Sequence, residues 1–163
     1  MIEPGILIPA AIRGHNWLRV WHEKQANPPH IPDKAILVFK RFKEAYDAKS
    51  IGKLSSIISD SYRGDLYGVP SKQEFIDIQK RVFNRLPWGV KPCLSINVYS
   101  IMEDDRNVFS AIIDTHSIAT VFGIPLGDYD SAPVRCQIRP EDGLWLVTQM
   151  FVERRLSRSA SEG

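Results

Sequence analysis

The chain has 163 residues, with 21 basic and 19 acidic side chains and a formal net charge of +2. This size is typical of one domain, and so balanced a charge argues against a nucleic-acid-binding surface. No apolar run approaches the roughly 20 residues that cross a bilayer, and the first residues lack the basic start of a signal peptide. These features predict a cytoplasmic protein that binds neither nucleic acid nor membrane.

Residues 1–32 form a distinct N-terminal extension that ends in a proline-rich stretch. Its apolar spacing predicts a short helix over Ile12–Gln25, in which Trp17 and Trp21 share one face at a separation of four residues. That face must pack on this protein or on a partner. The prolines prevent the helix from continuing into the segment that follows.

Three helices are predicted next. The first runs from Asp33, as its N-cap, to Lys49, and the second begins after Ser50. The third begins at Ser71 with a capping box, Ser-Lys-Gln-Glu, and ends before Pro87. Its apolar stripe consists of Phe75, Ile78, Val82 and Leu86.

After Val90 the pattern changes to the alternation typical of strands, with turn residues between the segments. We predict four strands, at 94–99, 107–122, 133–139 and 144–153. The last two are joined by a hairpin turn that contains Asp142 and Gly143. Residues 59–70 and 123–132 are interpreted as loops.

The last strand is apolar on both of its predicted faces. Strict alternation places Leu144, Leu146, Met150 and Val152 on one face, and Trp145, Val147 and Phe151 on the other. The helices can cover only one face. The other is expected to meet the N-terminal segment, a second subunit, or both.

Three helices followed by a mostly antiparallel sheet define an α+β fold class. The order and lengths of these elements resemble the nuclear transport factor 2-like superfamily, which includes SnoaL-like cyclases and ketosteroid-isomerase-like proteins. Three segments carry this resemblance: FKEAYDAKSIGKLSSIISD, SKQEFIDIQKRVF and EDGLWLVTQMFVE. It implies a cone-shaped domain over residues 33–153, with a pocket between the sheet and the helices, and a homodimer formed through the outer sheet face. Residues 154–163 are predicted to be a flexible tail.

Asp114 and His116 are the first candidates for chemistry, since they are two residues apart in a strand and therefore share a face. If that face lines the pocket, the carboxylate is a candidate base and the histidine can polarise a substrate oxygen. The alternative places both side chains on the outer face, and the alternation pattern fits either arrangement. The resemblance adds Tyr46, late on the first helix, as a hydrogen-bond donor into the pocket or as a packing residue.

Further aromatic residues, Tyr62, Tyr67 and Trp88, are expected to frame the mouth of the cone, where they contact a ligand or close the opening. Trp88, between Pro87 and Gly89, is interpreted as a plug. Cys93 and Cys136 are predicted to be free and buried thiols, since neither belongs to a Cys-x-x-Cys motif, and a disulfide between them is the alternative. No metal or cofactor is expected.

Two hypotheses of function follow. The first is a protein with a pocket for a small apolar or mixed-polarity ligand, either a binder or a cofactor-independent acid–base isomerase, cyclase or dehydratase. The second is a non-catalytic homodimerisation or protein-interaction domain. The orientation of Asp114 and His116 distinguishes an enzyme from a simple binder and from an interaction domain.

Overall fold

The computed structural model of the chain describes residues 17–20, 30–122 and 124–153. Within these ranges the three α-helices are α1 (Asp33–Asp47), α2 (Ile51–Ile57) and α3 (Lys72–Arg85). The described part of the chain contains seven strands: β1 (Leu18–Val20), β2 (Ile58–Gly64), β3 (Val90–Asp104), β4 (Phe109–Val121), β5 (Ile124–Asp130), β6 (Val134–Glu141) and β7 (Leu144–Val152). No helix in this part of the chain has the length and apolar character needed to cross a membrane.

The described strands form one sheet in the order β1-β3-β4-β6-β7-β2, and β5 pairs with the second half of β4. All central pairings are antiparallel, whereas β1 and β2 pair in parallel at the two ends of this order. The predicted α+β class, with three helices on a mostly antiparallel sheet, is therefore confirmed. Register shifts in several pairings allow the sheet to curve around the helices.

The helices begin where the sequence places them, with one difference. Ser50 and Ser71 accept hydrogen bonds from the backbone N–H groups of Lys53 and Glu74, as N-caps do. The predicted cap at Asp33 is wrong, because α1 already begins at Asp33 and Pro32 precedes it. Asp33 instead lies in the first turn, where a carboxylate interacts favourably with the helix dipole.

Helix α1 is attached to the sheet through the backbone of Leu94 in β3. Asp47 accepts a hydrogen bond of 2.8 Å from the N–H of Leu94, and Lys43 donates one of 2.9 Å to its carbonyl. Lys43 also pairs with Asp47 one helical turn away. This buried lysine therefore has both a counter-charge and a backbone acceptor, which offset its desolvation.

Three local predictions are corrected by the tertiary structure. The chain at Leu18–Val20 is a strand parallel to β3 rather than part of a helix; Trp21 lies outside the described residues. The segments interpreted as loops contain β2 and β5, which the sheet stabilises by backbone pairing although their sequences do not alternate. The division into residues 1–32, 33–153 and 154–163 stays a prediction.

The predicted faces of β7 are also wrong in part. The pairing with β6 shifts by one residue between Ile138–Val147 and Gln137–Gln149. This bulge reverses the alternation, so Val147 and Met150 both face the interior. The predicted hairpin turn is confirmed: Asp142 and Gly143 have φ values of 50° and 82°, as a two-residue type I′ turn requires.

Candidate functional site

A cavity lies between α1, α3 and the inner face of the sheet. Its volume is about 40 Å³, enough for one or two water molecules or one small polar group. Most of its walls are apolar, with Phe39 from α1, Phe75 from α3 and Ile113 from β4 among them. The polar residues that line it are Tyr46, Tyr67, Gln79, Thr115, Ser117, Tyr129 and Ser131.

An open chamber of about 480 Å³ adjoins this inner cavity. One wall is formed by Ile78 and Val82 of α3 and by Leu86, which follows the helix; all three belong to the predicted apolar stripe. The chamber falls within the size range of small-molecule sites. The inner cavity alone is too small for a drug-sized ligand.

Four residues line both spaces and form what we call the neck: Tyr46, Tyr67, Ser117 and Tyr129. They come from α1, from the turn after β2, from β4 and from β5. Each carries a hydroxyl group, which can donate and accept a hydrogen bond. The fold thus collects four hydroxyl-bearing residues, distant in sequence, at the passage between chamber and cavity.

Burial affects the pKa of two tyrosines at the neck, Tyr46 and Tyr67. It raises the pKa of Tyr46, and the nearby hydroxyl of Ser117 acts in the opposite direction. Burial raises the pKa of Tyr67 to about 12, with Gln79 acting in the opposite direction. Both phenols are therefore neutral at physiological pH and available as hydrogen-bond donors.

Tyr67 adopts an unusual backbone conformation. Its φ of 61° lies in the left-handed region, which a large side chain rarely occupies. The ring stacks on Phe75 with a centroid separation of 6.4 Å, and 41% of the residue is exposed. The turn therefore holds the ring at the neck, where it borders both the chamber and the inner cavity. Backbone strain of this kind is often found at ligand sites.

The structure places Asp114 and His116 on the opposite side of the sheet from the cavity. Ile113, Thr115 and Ser117 alternate with them along β4 and line the cavity. Asp114 accepts hydrogen bonds from Asn97 and Tyr99. His116 contacts Asp130, and its Nε2 atom lies 3.7 Å from Asp128. The two residues do not converge with Tyr46 on one cavity.

The other predicted site residues are divided between three environments. Tyr46 and Tyr67 line the cavity and its neck. Tyr62 does not frame the mouth, because it is 2% exposed and packs against Phe75 in the core. Trp88 does not plug the cavity: it is 96% exposed and borders a separate surface depression with Phe122.

Sequence reasoning missed several lining residues. Gln79 interrupts an apolar helix face, with Phe75 and Phe83 one turn before and after it, and that interruption was the available signal. Thr115 and Ser117 looked like small packing residues of a strand. Tyr129 lay in a segment interpreted as a loop, so nothing in the sequence aimed it at the cavity.

The described residues of the inner cavity include no charged side chain. Cys136, which lines it, is fully buried, and burial raises the pKa of its thiol to about 12. Both cysteines are free, as predicted, although Cys93 is only half-buried. In the described ranges no group of three histidine, cysteine or carboxylate side chains could hold a metal ion. The cavity therefore offers neutral hydrogen-bonding groups in an apolar wall.

Comparison with known proteins gives results only at the level of structure. No protein-family model and no curated protein matches the sequence. Among solved structures, Aln2 from a Streptomyces species matches with a TM-score of 0.63 and 13% identity, over 80% of this chain and 99% of that one. An NTF-2-like protein of unknown function from Shewanella oneidensis matches with a TM-score of 0.56 and 10% identity, over 73% of this chain and 95% of that one.

The chain has the nuclear transport factor 2-like fold. A putative scytalone dehydratase from Novosphingobium aromaticivorans shares it, with a TM-score of 0.54 and 10% identity over 72% of this chain and 79% of that one. At these identities the likeness establishes the nuclear transport factor 2-like fold alone, because one fold carries many functions. The cavity, chamber and neck must therefore be interpreted from their own residues.

Proposed function

We propose that this chain binds a small, uncharged and largely apolar molecule, with the body of the ligand in the open chamber and a polar group at the neck. The observation that carries the proposal is the neck itself, where Tyr46, Tyr67, Ser117 and Tyr129 border both spaces. An apolar pocket with a few convergent polar groups is the usual form of a small-molecule site.

The lining of the inner cavity, unlike that of the chamber, which includes Asp128, contains no charged side chain among the described residues, and this supports an uncharged polar group on the ligand. An ion that enters the inner cavity loses its hydration and meets no counter-charge among the described lining residues. Hydroxyl groups compensate for the desolvation of a neutral polar group much more easily than for the desolvation of an ion.

Binding without acid–base catalysis is the version that the geometry favours. An isomerase, cyclase or dehydratase of acid–base type needs a proton acceptor with a pKa near the working pH. The residues considered for that role, Asp114 and His116, lie on the other sheet face. The tyrosine hydroxyls can stabilise a developing oxyanion, but burial raises the pKa of both Tyr46 and Tyr67, so neither is a base near neutral pH.

A pair of fluorescent probes tests the binding proposal. N-phenyl-1-naphthylamine is uncharged, and 8-anilinonaphthalene-1-sulfonate is the same framework with a sulfonate. We expect saturable binding of the first with an affinity at least about tenfold higher than that of the second. Absence of saturable binding of the uncharged probe, or equal affinity for both, contradicts the proposal.

Two substitutions at adjacent positions locate the site. Ser117→Phe fills the neck, whereas Ile118→Phe adds a similar ring on the other sheet face. We expect Ser117→Phe to weaken probe binding by about tenfold or more and Ile118→Phe to change it less than about twofold. Equal effects of both variants would show that the probe binds elsewhere.

We also propose a homodimer formed through the outer sheet face, because apolar side chains lie there on both sides of Arg135. Ile112 in β4, Arg135 in β6 and Phe151 in β7 are paired neighbours and share this face. Phe151 is 40% exposed although it is a large apolar residue. Light scattering should give twice the chain mass for the wild type and the single mass for Phe151→Asp. The control Phe122→Asp changes an exposed ring elsewhere and should leave the dimer intact.

A further inference from the structure

The side chain of Gln79 is buried in the cavity wall with one polar atom unused. The residue is 2% exposed and lines the inner cavity. Its Oε1 atom is buried and has no hydrogen-bond partner among the described residues. Buried acceptors are nearly always paired in native proteins, so an unpaired one in a cavity wall requires an explanation.

The surroundings of Gln79 on α3 connect it to the neck on both sides. Phe75, one turn earlier, stacks on Tyr67, and Phe83, one turn later, packs edge-on against Tyr46 at a centroid distance of 5.1 Å. The amide therefore lies between the contacts that α3 makes with two neck tyrosines. An apolar residue here would complete the buried face of α3 without leaving a polar atom unpaired.

The Gln79 side chain also lies close enough to Tyr67 to act on its hydroxyl. It lowers the pKa of that phenol, in opposition to burial. The buried Oε1 atom, which has no partner among the described residues, is the acceptor left for a group that enters the cavity.

We propose that Gln79 Oε1 is the specificity-determining hydrogen-bond acceptor of the ligand site. The ligand then carries a narrow uncharged donor, such as a primary alcohol, which passes the neck and donates a hydrogen bond to Gln79 Oε1. This inference rests on the proposed function, and it adds which end of the ligand enters and which hydrogen-bonding group that end must carry. The volume of about 40 Å³ admits such a group but not a ring. The apolar body remains in the chamber of about 480 Å³.

Cyclohexylmethanol and (fluoromethyl)cyclohexane are the matched probes, because fluorine has nearly the size of the hydroxyl group but cannot donate a hydrogen bond. Their affinities are measured by displacement of N-phenyl-1-naphthylamine. We expect the alcohol to bind about tenfold more tightly to the wild-type chain, since a site built for a donor rejects the analogue that lacks it. In Gln79→Leu the two affinities should become equal.

Gln73→Leu is the control, because Gln73 lies on the same helix and its amide donates to Asp77 on the exposed side. It should keep the preference for the alcohol. If Gln79→Leu does not fold, the side-chain amide of Gln79 in the wild-type chain gives a second measurement, since its NMR signals should shift with the alcohol and not with the fluoride.

The outcomes separate the two proposals. Equal affinity of alcohol and fluoride for the wild type, or a preference that persists in Gln79→Leu, overturns the role of Gln79 while the binding site stands. Failure of N-phenyl-1-naphthylamine to bind overturns the proposed function and this inference together.

Discussion

The side-chain amide of Asn97 donates a hydrogen bond of 2.6 Å to the carboxylate of Asp114 across the pairing of β3 with β4. Tyr99, at a bulge in the same strand, donates to the other carboxylate oxygen. The carboxylate that the sequence suggested as a base is thus held by two donors on the outer face of the sheet. Its surroundings are those of a structural group that connects two strands.

Replacement of Asp114 by Asn should therefore affect the sheet and leave the cavity unchanged. We expect Asp114→Asn to lose about 1–2 kcal/mol of unfolding free energy, because two charge-assisted hydrogen bonds become neutral ones. The affinity for N-phenyl-1-naphthylamine should stay within about twofold of the wild-type value. Urea unfolding and probe titration measure the two quantities, and Ser117→Phe should give a much larger effect on the second. A large loss of probe affinity in Asp114→Asn would contradict this placement.

The same substitution should change the titration of Tyr99. Burial is the main cause of the raised pKa of this phenol, and the hydrogen bond to the Asp114 carboxylate and its negative charge add to it. Removing the charge should lower the pKa of Tyr99 toward its ordinary value, which ultraviolet titration can follow. An unchanged titration would show that the carboxylate does not affect this phenol.

Gly64, at the end of β2, is expected to tolerate no side chain. A Cβ atom there would meet the backbone carbonyl of Met150 and lie 2.6 Å from the Tyr62 hydroxyl. Because a backbone atom cannot move aside easily, Gly64→Ala should cost about 3 kcal/mol of stability or more. Gly52→Ala in α2 is the matched control: a Cβ there meets nothing within 4 Å, and alanine should stabilise the helix by about 0.5–1 kcal/mol. Similar melting temperatures for the two variants would contradict the close approach of β2 to β7.

Two ion pairs on α1 have the same spacing and very different surroundings. Lys43 pairs with Asp47 in a partly buried setting, and Lys40 lies 3.9 Å from Glu44 at the surface. Lys43→Ala should cost about 3 kcal/mol, because it leaves the Asp47 carboxylate without its charged partner at the sheet. Lys40→Ala should cost less than about 0.5 kcal/mol. Denaturant unfolding compares the two, and equal losses would show that burial does not distinguish the pairs.

The thiol of Cys136 should make stability depend on pH in the alkaline range. Burial raises its pKa from 9.0 to about 12 in the folded chain. Between these values the unfolded chain has lost the proton that the folded chain keeps, so this contribution is complete below pH 9 and is lost as pH rises toward 12. Each pH unit in that window removes up to about 1.4 kcal/mol.

A comparison of variants separates the contribution of the Cys136 thiol from the contributions of other titrating groups. Cys136→Ala should flatten the fall of stability between pH 9 and 12 relative to the wild type. Cys93→Ala should flatten it less, because Cys93 is only half-buried and Lys43 opposes the effect of burial on its pKa. Parallel curves for the wild type and Cys136→Ala would contradict a buried, protonated thiol.

The sequence predicts correctly those elements whose signals are local, and it misses those that depend on pairing with distant residues. Helix α3 was predicted through the cap at Ser71, and the β6–β7 hairpin through the Asp142–Gly143 turn, because both signals lie within a few residues of the elements that they specify. Strand β5 was missed, because Ile124–Asp130 gains its strand conformation from pairing with β4 and not from its own composition.

The sequence by itself determined the α+β order, the helix starts and the final hairpin, since local propensity and turn geometry decide these features. Only the tertiary structure decided which face of β4 lines the cavity. The alternation of Asp114 and His116 with Thr115 and Ser117 is the same whichever face is buried. The packing of α1 and α3 on the sheet turns Thr115 and Ser117 inward. The same packing brings Gln79 and the tyrosines of the neck, far apart in sequence, to one cavity.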